Sequence, residues 1–521
     1  MKKLLGMILV LALVFSMAAC SRGGEYVPTG DALEPEEGGS TPVTRPTDGE
    51  QMQDLTLTYY AEESMNPILS TNYTNRAPFS LLYQSLFVTN RDYQVEPQLC
   101  KTYSVSEDMR QYTFTIENAT FSDGSPLVLA DVLATLEAAK ESDYYGGRFT
   151  HISTMEISGD NLVITLDTPM EDLPLLLDIP ILKANQLDLT HPLGTGPYIL
   201  NRAESCLERR TDWWCQADLV VTASAIALIP AESTTQIRDT FQFETLDLVC
   251  ADPGSDNYAD YRCDYELWDC ENGIFLYLAC NSSNTVLSNP KIRSALTFAI
   301  DRDKIVDTYY RGFARSATLP ASPQFPYYSQ SLAEQYAFDE SKFAKAVADA
   351  GVVGYSVEIL VNSSDSLRVR VARDIAQMLT NGGLNATVKE LPQQQYLDAL
   401  YFRNFDLYLG QTKLSPNMDL SAFFYTYGAL SYGGVDNTTT YALCLDALEN
   451  HGNFYTLHQN IMDNGYITPI LFRSYAVYAT RGLLTELTPA RDNVFYYSLG
   501  KNMTQAQVDP PTPPDDEPTD E

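Results

Sequence analysis

The chain has 521 residues, which at roughly 100–200 residues per domain predicts about three domains or one large two-lobed body. It carries 68 acidic against 34 basic residues, a formal charge of -34, and such a field repels phosphate backbones and argues against nucleic-acid partners. Only four histidines are present, little raw material for a zinc centre or a Ser-His-Asp triad, so a secreted or surface protein that binds something is the favoured class.

The first residues set the compartment. Lys2 and Lys3 form a positive start, Leu4 to Met17 an apolar stretch, and Ala18-Ala19 a small-residue cleavage site before Cys20. The apolar run is short for a membrane span of about 20 residues. Small residues directly before a cysteine resemble the lipobox of bacterial lipoproteins, with Met17 where that family usually has Leu. The resemblance implies a signal peptide over 1–20, acylation of Cys20, and attachment to the lipid bilayer at the outer face of the bacterial cell membrane. Residues 21–53 are rich in Gly, Pro, Thr and acid and are expected to form a disordered tether, because they cannot bury enough apolar surface to offset ordering entropy. Residues 504–521, rich in Pro and acid, are expected to form a disordered tail.

Between these ends the hydrophobic period alternates. Strands are predicted at 54–61, 110–117 and 160–169, and helices at 75–87 and 125–141, the latter after the Asp123-Gly124 turn signal. The segment 289–310 reads as one helix or a pair, with Arg293, Asp301 and Arg302 as solvated face and cap. Residues 355–410 then run strand, helix, strand, helix, strand, a βαβ pattern that implies a parallel sheet. Gly194 and Gly196 fit a close backbone approach, and Trp213-Trp214 reads as packing rather than ligand stacking.

Five stretches in order carry a family resemblance. They are MNPILSTNYTNRAPFSLLYQSLFVTN (65–90), YQVEPQLCKTYSVSEDMRQYTFTIENATFSDGSPLVLADV (93–132), GTGPYIL (194–200), TDWW (211–214) and NPKIRSALTFAIDRDKIV (289–306). Together they resemble the peptide-type solute-binding proteins of ABC transporters, the oligopeptide- and dipeptide-binding group. The resemblance implies an α/β, two-lobed periplasmic-binding-protein-like fold, with mixed sheets, helices on both faces, and two crossing strands between the lobes. Lobe one is expected over 54–271 plus 473–503 and lobe two over 272–472, with crossings near 273–281 and 467–478. It further implies a monomer without cofactor or metal that is no enzyme, whose partners are a peptide or peptide-like ligand and the ABC permease subunits.

The same resemblance places ligand contacts. Thr71, Asn72 and Tyr73 fall on the family's first contact segment, where backbone pairs with an extended peptide. The second segment commonly carries an Asp that holds the peptide ammonium, whereas this chain reads Gln411, Thr412, Lys413, Leu414. Leu414 cannot hold an ammonium in a desolvated cleft and Lys413 would oppose one, so another acid (Glu62, Glu63 or Asp419) takes the role or the ligand has no free amine. Tyr432 and Asn437 are expected to line the cleft from the stretch 430–448.

Beyond Cys20, eight cysteines leave connectivity open, with Cys206–Cys215 and Cys263–Cys270 as short-range possibilities. Other functions have less support. An exported hydrolase lacks a G-x-S-x-G or H-E-x-x-H signature, and its scattered S-x-x-K matches stand in the wrong order relative to S-D-N. A carrier of a metal chelate or haem, or a surface sensor, stays open as an alternative.

Overall fold

The computed structural model describes Glu25–Tyr26 and residues 54–203, 205–215, 223, 225–243, 246–254, 261–426, 428–433, 437–481 and 489–494. The signal peptide with Cys20, the acidic tail and all of the tether except Glu25–Tyr26 lie outside the described residues.

A single twelve-stranded sheet runs through both lobes, and two long strands at its centre join them. These are Tyr265–Cys280 and Ile467–Thr480, paired antiparallel along their length. Both are buried on both faces at nearly every position, which explains why they read as continuous apolar runs rather than alternating ones. Each begins or ends farther out than the apolar run alone predicts. Asp269, Glu271 and Arg473 lie within the strands as buried polar residues and interrupt the hydrophobic signal.

In lobe two the order across the sheet is Asn385–Leu391, Ser356–Asn362, Leu407–Lys413, then the first crossing strand. The first three are parallel, as the βαβ pattern predicts. Helices Ser366–Asn381 and Gln393–Tyr401 supply the crossovers. Beyond the second crossing strand, lobe one continues the sheet through Leu248–Ala251, Asp54–Tyr59 and Ala225–Pro230. Lobe one also carries a four-stranded antiparallel sheet that includes Gln111–Ile116 and Asn161–Leu166. Its core gathers Leu55, Leu57, Phe114, Leu136 and Ile164, the inward sides of the alternating strands and of helix Leu129–Lys140.

Three expectations shift. The helix predicted over 75–87 is two short ones, Tyr73–Arg76 and Phe79–Leu82, because Pro78 lacks an N–H and interrupts the ladder. For 289–310 the pair reading holds: Pro290–Ala299, then Arg302–Ile305 continuing as a π-helix over Val306–Tyr310, with Asp301 capping the second. Arg293 and Arg302 are buried instead of solvated. Arg302 donates to the carbonyls of Thr297, Ala317 and Pro469, and Arg293 to those of Leu287 and Asn464; both guanidiniums tie otherwise orphaned backbone oxygens together. Glu25–Tyr26, inside the expected tether, pairs in parallel with Glu266 and Leu267, on an edge of the first crossing strand that Leu407–Lys413, paired only with Ile274–Cys280, leaves open.

The glycine reading holds. A Cβ on Gly194 would meet the Leu82 carbonyl oxygen at 2.1 Å and one on Gly196 the Leu81 oxygen at 2.5 Å. Trp213 and Trp214 donate to the Thr195 carbonyl and to Gln84, which are packing roles. Cys270 is a free thiol, 3.6 Å from the Tyr73 hydroxyl, so it forms no bridge to Cys263. Cys206 directs its thiol at Glu208.

Candidate ligand-binding site

The site is built where the crossing strands pass between the lobes. Tyr73 opens the helix Tyr73–Arg76 and lays its ring flat on Tyr475 of the second crossing strand, with centroids 3.6 Å apart. Asn72 caps that helix by accepting from the Asn75 N–H, and Thr71 is exposed beside it. Arg76 is buried under the helix. It donates to the Pro67 and Ser70 carbonyls at 2.9 and 2.7 Å, and its guanidinium carbon sits 3.5 Å from the centre of the Tyr144 ring.

From lobe two, the strand Leu407–Lys413 runs beside the first crossing strand, with Gln411, Thr412 and Lys413 opposite Leu276, Phe275 and Ile274. Its other edge pairs only at Leu407 and Tyr408, so the Leu409–Lys413 edge has no strand partner among the described residues. An unpaired edge of this kind is a template for an added extended segment.

Lys413 reaches across to lobe one. Its ammonium lies 2.8 Å from Asp492 Oδ1 and also bonds the Tyr144 hydroxyl, which itself donates to Asp492 at 2.6 Å. Arg148 binds the other Asp492 oxygen at 2.6 Å and pairs with Asp178. Burial alone would raise the Asp492 carboxyl, but Lys413, Arg148, Arg491 and Arg76 hold it well below the usual range. Burial draws the Lys413 ammonium down, against the pull of Asp492 and with the help of Arg491. Four cations, Arg76, Arg148, Lys413 and Arg491, thus surround two carboxylates, Asp178 and Asp492, inside a chain whose net charge is -34.

Next to this cluster is a pocket with about 450 Å³ of empty space, part of it continuous with solvent. Lobe one contributes Thr89, Asn90, Arg91, Tyr93 and Asp178, and the crossing strand contributes Asp269, Cys270 and Glu271. Lobe two contributes Gln324 and Pro416, and the returning segment Pro489, Ala490 and Arg491. A boundary between lobes is where small-solute sites concentrate. Glu271 accepts from Tyr93 at 2.9 Å and from Ser322. Burial pushes its carboxyl up, against those two bonds and the Arg491 charge.

The structure therefore gathers Tyr73, Gln411, Thr412 and Lys413 around the crossing strands and places the other expected residues elsewhere. Gln411 accepts from Arg473 at 3.3 Å. The Leu414 side chain is buried in the core cluster that includes Met418 and Phe423; only its backbone faces the junction, donating to Gly273 O and accepting from Arg491. Tyr432 packs edge-on against Tyr408. Asn437 caps the helix Thr438–Glu449 and donates to Tyr466 at 2.6 Å. Of the acids offered as substitutes, Glu62 and Glu63 are exposed, and Asp419 is taken by Ser421 and His151, at 2.9 and 3.3 Å.

The acids that do stand at the junction are Asp178, Asp269 and Glu271 in the pocket wall and Asp492 in the adjoining cluster. Sequence reading missed them because each sits in an aperiodic or strand-interior position. Asp492 arrives from a short Pro-Ala-Arg-Asp segment far from Lys413 in the chain.

Residues 94–434, well over half of the chain, match the middle region of the bacterial extracellular solute-binding proteins, family 5. Among curated proteins, the glutathione-binding protein GsiB of Salmonella paratyphi A is 24% identical over 360 residues, covering 64% of this chain and 68% of its own length. Among solved structures, the ABC-transporter substrate-binding protein CtaP of Listeria monocytogenes superposes with a TM-score of 0.70 at 18% identity, over 87% of this chain and 99% of its own. The oligopeptide-binding protein AppA of Bacillus subtilis, in complex with a nonapeptide, superposes with a TM-score of 0.61 at 18% identity, over 87% and 99%. The two structural likenesses speak to the fold. With the two-lobed architecture and a pocket at the lobe junction, the match over 94–434 gives the conclusion that this chain belongs to the bacterial extracellular solute-binding proteins, family 5.

Proposed function

We propose that the protein captures a peptide or peptide-like solute between its lobes and delivers it to an ABC permease while held at the outer face of the cell membrane through acylated Cys20. The observation that carries this reading is the Leu409–Lys413 edge, which has no strand partner among the described residues and ends at Lys413 in the charge cluster next to the interlobe pocket. An extended backbone can add to that edge, and alternate side chains then point into the cleft. The similarity to a protein named for glutathione, itself a peptide, supports the same class of ligand. Mass spectrometry of the solute released by denaturing gently isolated protein tests the reading. A peptide or peptide-like compound near one per chain is expected. A protein that carries no such compound and takes up no short peptide contradicts it. For the anchor, Cys20→Ala should shed the chain into the medium; retention in the membrane fraction would refute it.

A further inference from the structure

We propose that Arg491 is a carboxylate-binding residue of the interlobe pocket, so that the solute presents an anionic carboxylate there. This rests on the reading that the cleft takes a solute, and it concerns which end of that solute lies here.

The argument is one of unfilled hydrogen-bonding capacity. All three acids lining the pocket already have partners. Asp178 is paired with Arg148, Asp269 lies 3.3 Å from Arg315, and Glu271 accepts from Tyr93 and Ser322. The cations are not spent in the same way. Only about a tenth of the Arg491 side chain is exposed. One of its nitrogens donates to the Leu414 carbonyl, while Nε and Nη1 have no hydrogen-bond partner. The nearest carboxylate oxygen, on Asp492, is 3.7 Å from Nε, and Asp492 is already engaged by Lys413, Arg148 and Tyr144. Buried guanidinium N–H groups are costly to leave unmade, and a carboxylate can fill them with charge-assisted bonds.

The chain also makes room for this group. Gly273 lies against the Arg491 guanidinium so closely that a Cβ there would come within 2.2 Å of its central carbon. Arg91, on the lobe-one wall of the same pocket, makes no ion pair or hydrogen bond among the described residues and adds a second positive charge. The pocket thus offers unfilled guanidinium donors that an acid can satisfy and an amine cannot.

The test uses the full chain and matched probes in calorimetry: trialanine against trialanine amide, and succinate against succinamide, on the native protein, Arg491→Gln and Arg491→Lys. The acids should bind roughly tenfold or more tightly than the amides to the native protein. That gap should vanish in Arg491→Gln and survive in part in Arg491→Lys, which keeps the charge but loses the planar guanidinium. Equal binding of trialanine and its amide overturns the inference and leaves the peptide reading standing. A succinate gap that is lost in Arg491→Gln, with no peptide bound, supports the inference and removes the peptide reading. If no acid binds the native protein, or the gap persists in both variants, the assignment to Arg491 is overturned. The acid–amide comparison on native protein needs no variant, so a misfolded Arg491→Gln does not block the test.

Discussion

Asp492 is the residue on which the charges of the cleft converge. It is 2% exposed and binds Lys413 from lobe two and Arg148 from lobe one, with the Tyr144 hydroxyl as a third donor. Removing one partner from a buried charge network leaves the others uncompensated, typically at a cost of about 3–5 kcal/mol. Asp492→Asn is therefore expected to lower unfolding stability by about that amount, read from urea midpoints at unchanged slope. A loss within about 0.5 kcal/mol, the range of ordinary surface changes, would show that the cluster is not a structural keystone. Leu414 makes the opposite point. An acid placed there would be buried in the apolar cluster with Met418 and Phe423 and would not be presented to a ligand, so the family's amine site cannot be rebuilt by that single change.

Among elements, the first crossing strand does most to shape the site. Its register with the second strand slips between Glu271 and Phe275, and Gly273 takes up the slip at φ +71°. A non-glycine residue in the left-handed region costs roughly 1–2 kcal/mol, and here the added Cβ also strikes Arg491. Gly273→Ala should lower the thermal midpoint and displace Arg491 from the pocket, weakening ligand binding; unchanged stability and affinity would contradict the close fit. The strands and helices of lobe two were legible in the sequence because 355–410 alternates cleanly between periods of two and 3.6. The crossing strands were legible as apolar runs, and their polar ends were not. Tyr73, Gln411 and Lys413 could be placed by family likeness. Arg491 and Asp492 could not, because a return segment of a few residues carries no period and its contacts depend wholly on tertiary packing.

In the whole molecule, the lobes meet through histidines on both sides of the cleft. His151 of lobe one lies 3.1 Å from Ser421 and 3.3 Å from Asp419 of lobe two, with Asp167 of its own lobe on the other ring nitrogen. His451 of lobe two lies 3.1 Å from Asp172 and 3.4 Å from Glu171 of lobe one. Burial alone would lower both imidazoles. Asp419 and Asp167 raise His151 above its ordinary 6.5, and Asp172 and Glu171 do the same for His451. A group whose value is raised by a contact strengthens that contact fully below its free value and loses it as pH rises through the bound one. Closure is thus expected to be tighter near pH 6 than near pH 8, the window set by those upward shifts from 6.5. Small-angle scattering on ligand-stripped and ligand-loaded protein, at both pH values, tests the central claim that this is a cleft closing on a solute. The account predicts a smaller radius of gyration with ligand at either pH, and a more compact stripped protein at the lower one. A radius that ligand leaves unchanged, at a concentration where binding heat is saturated, would contradict it.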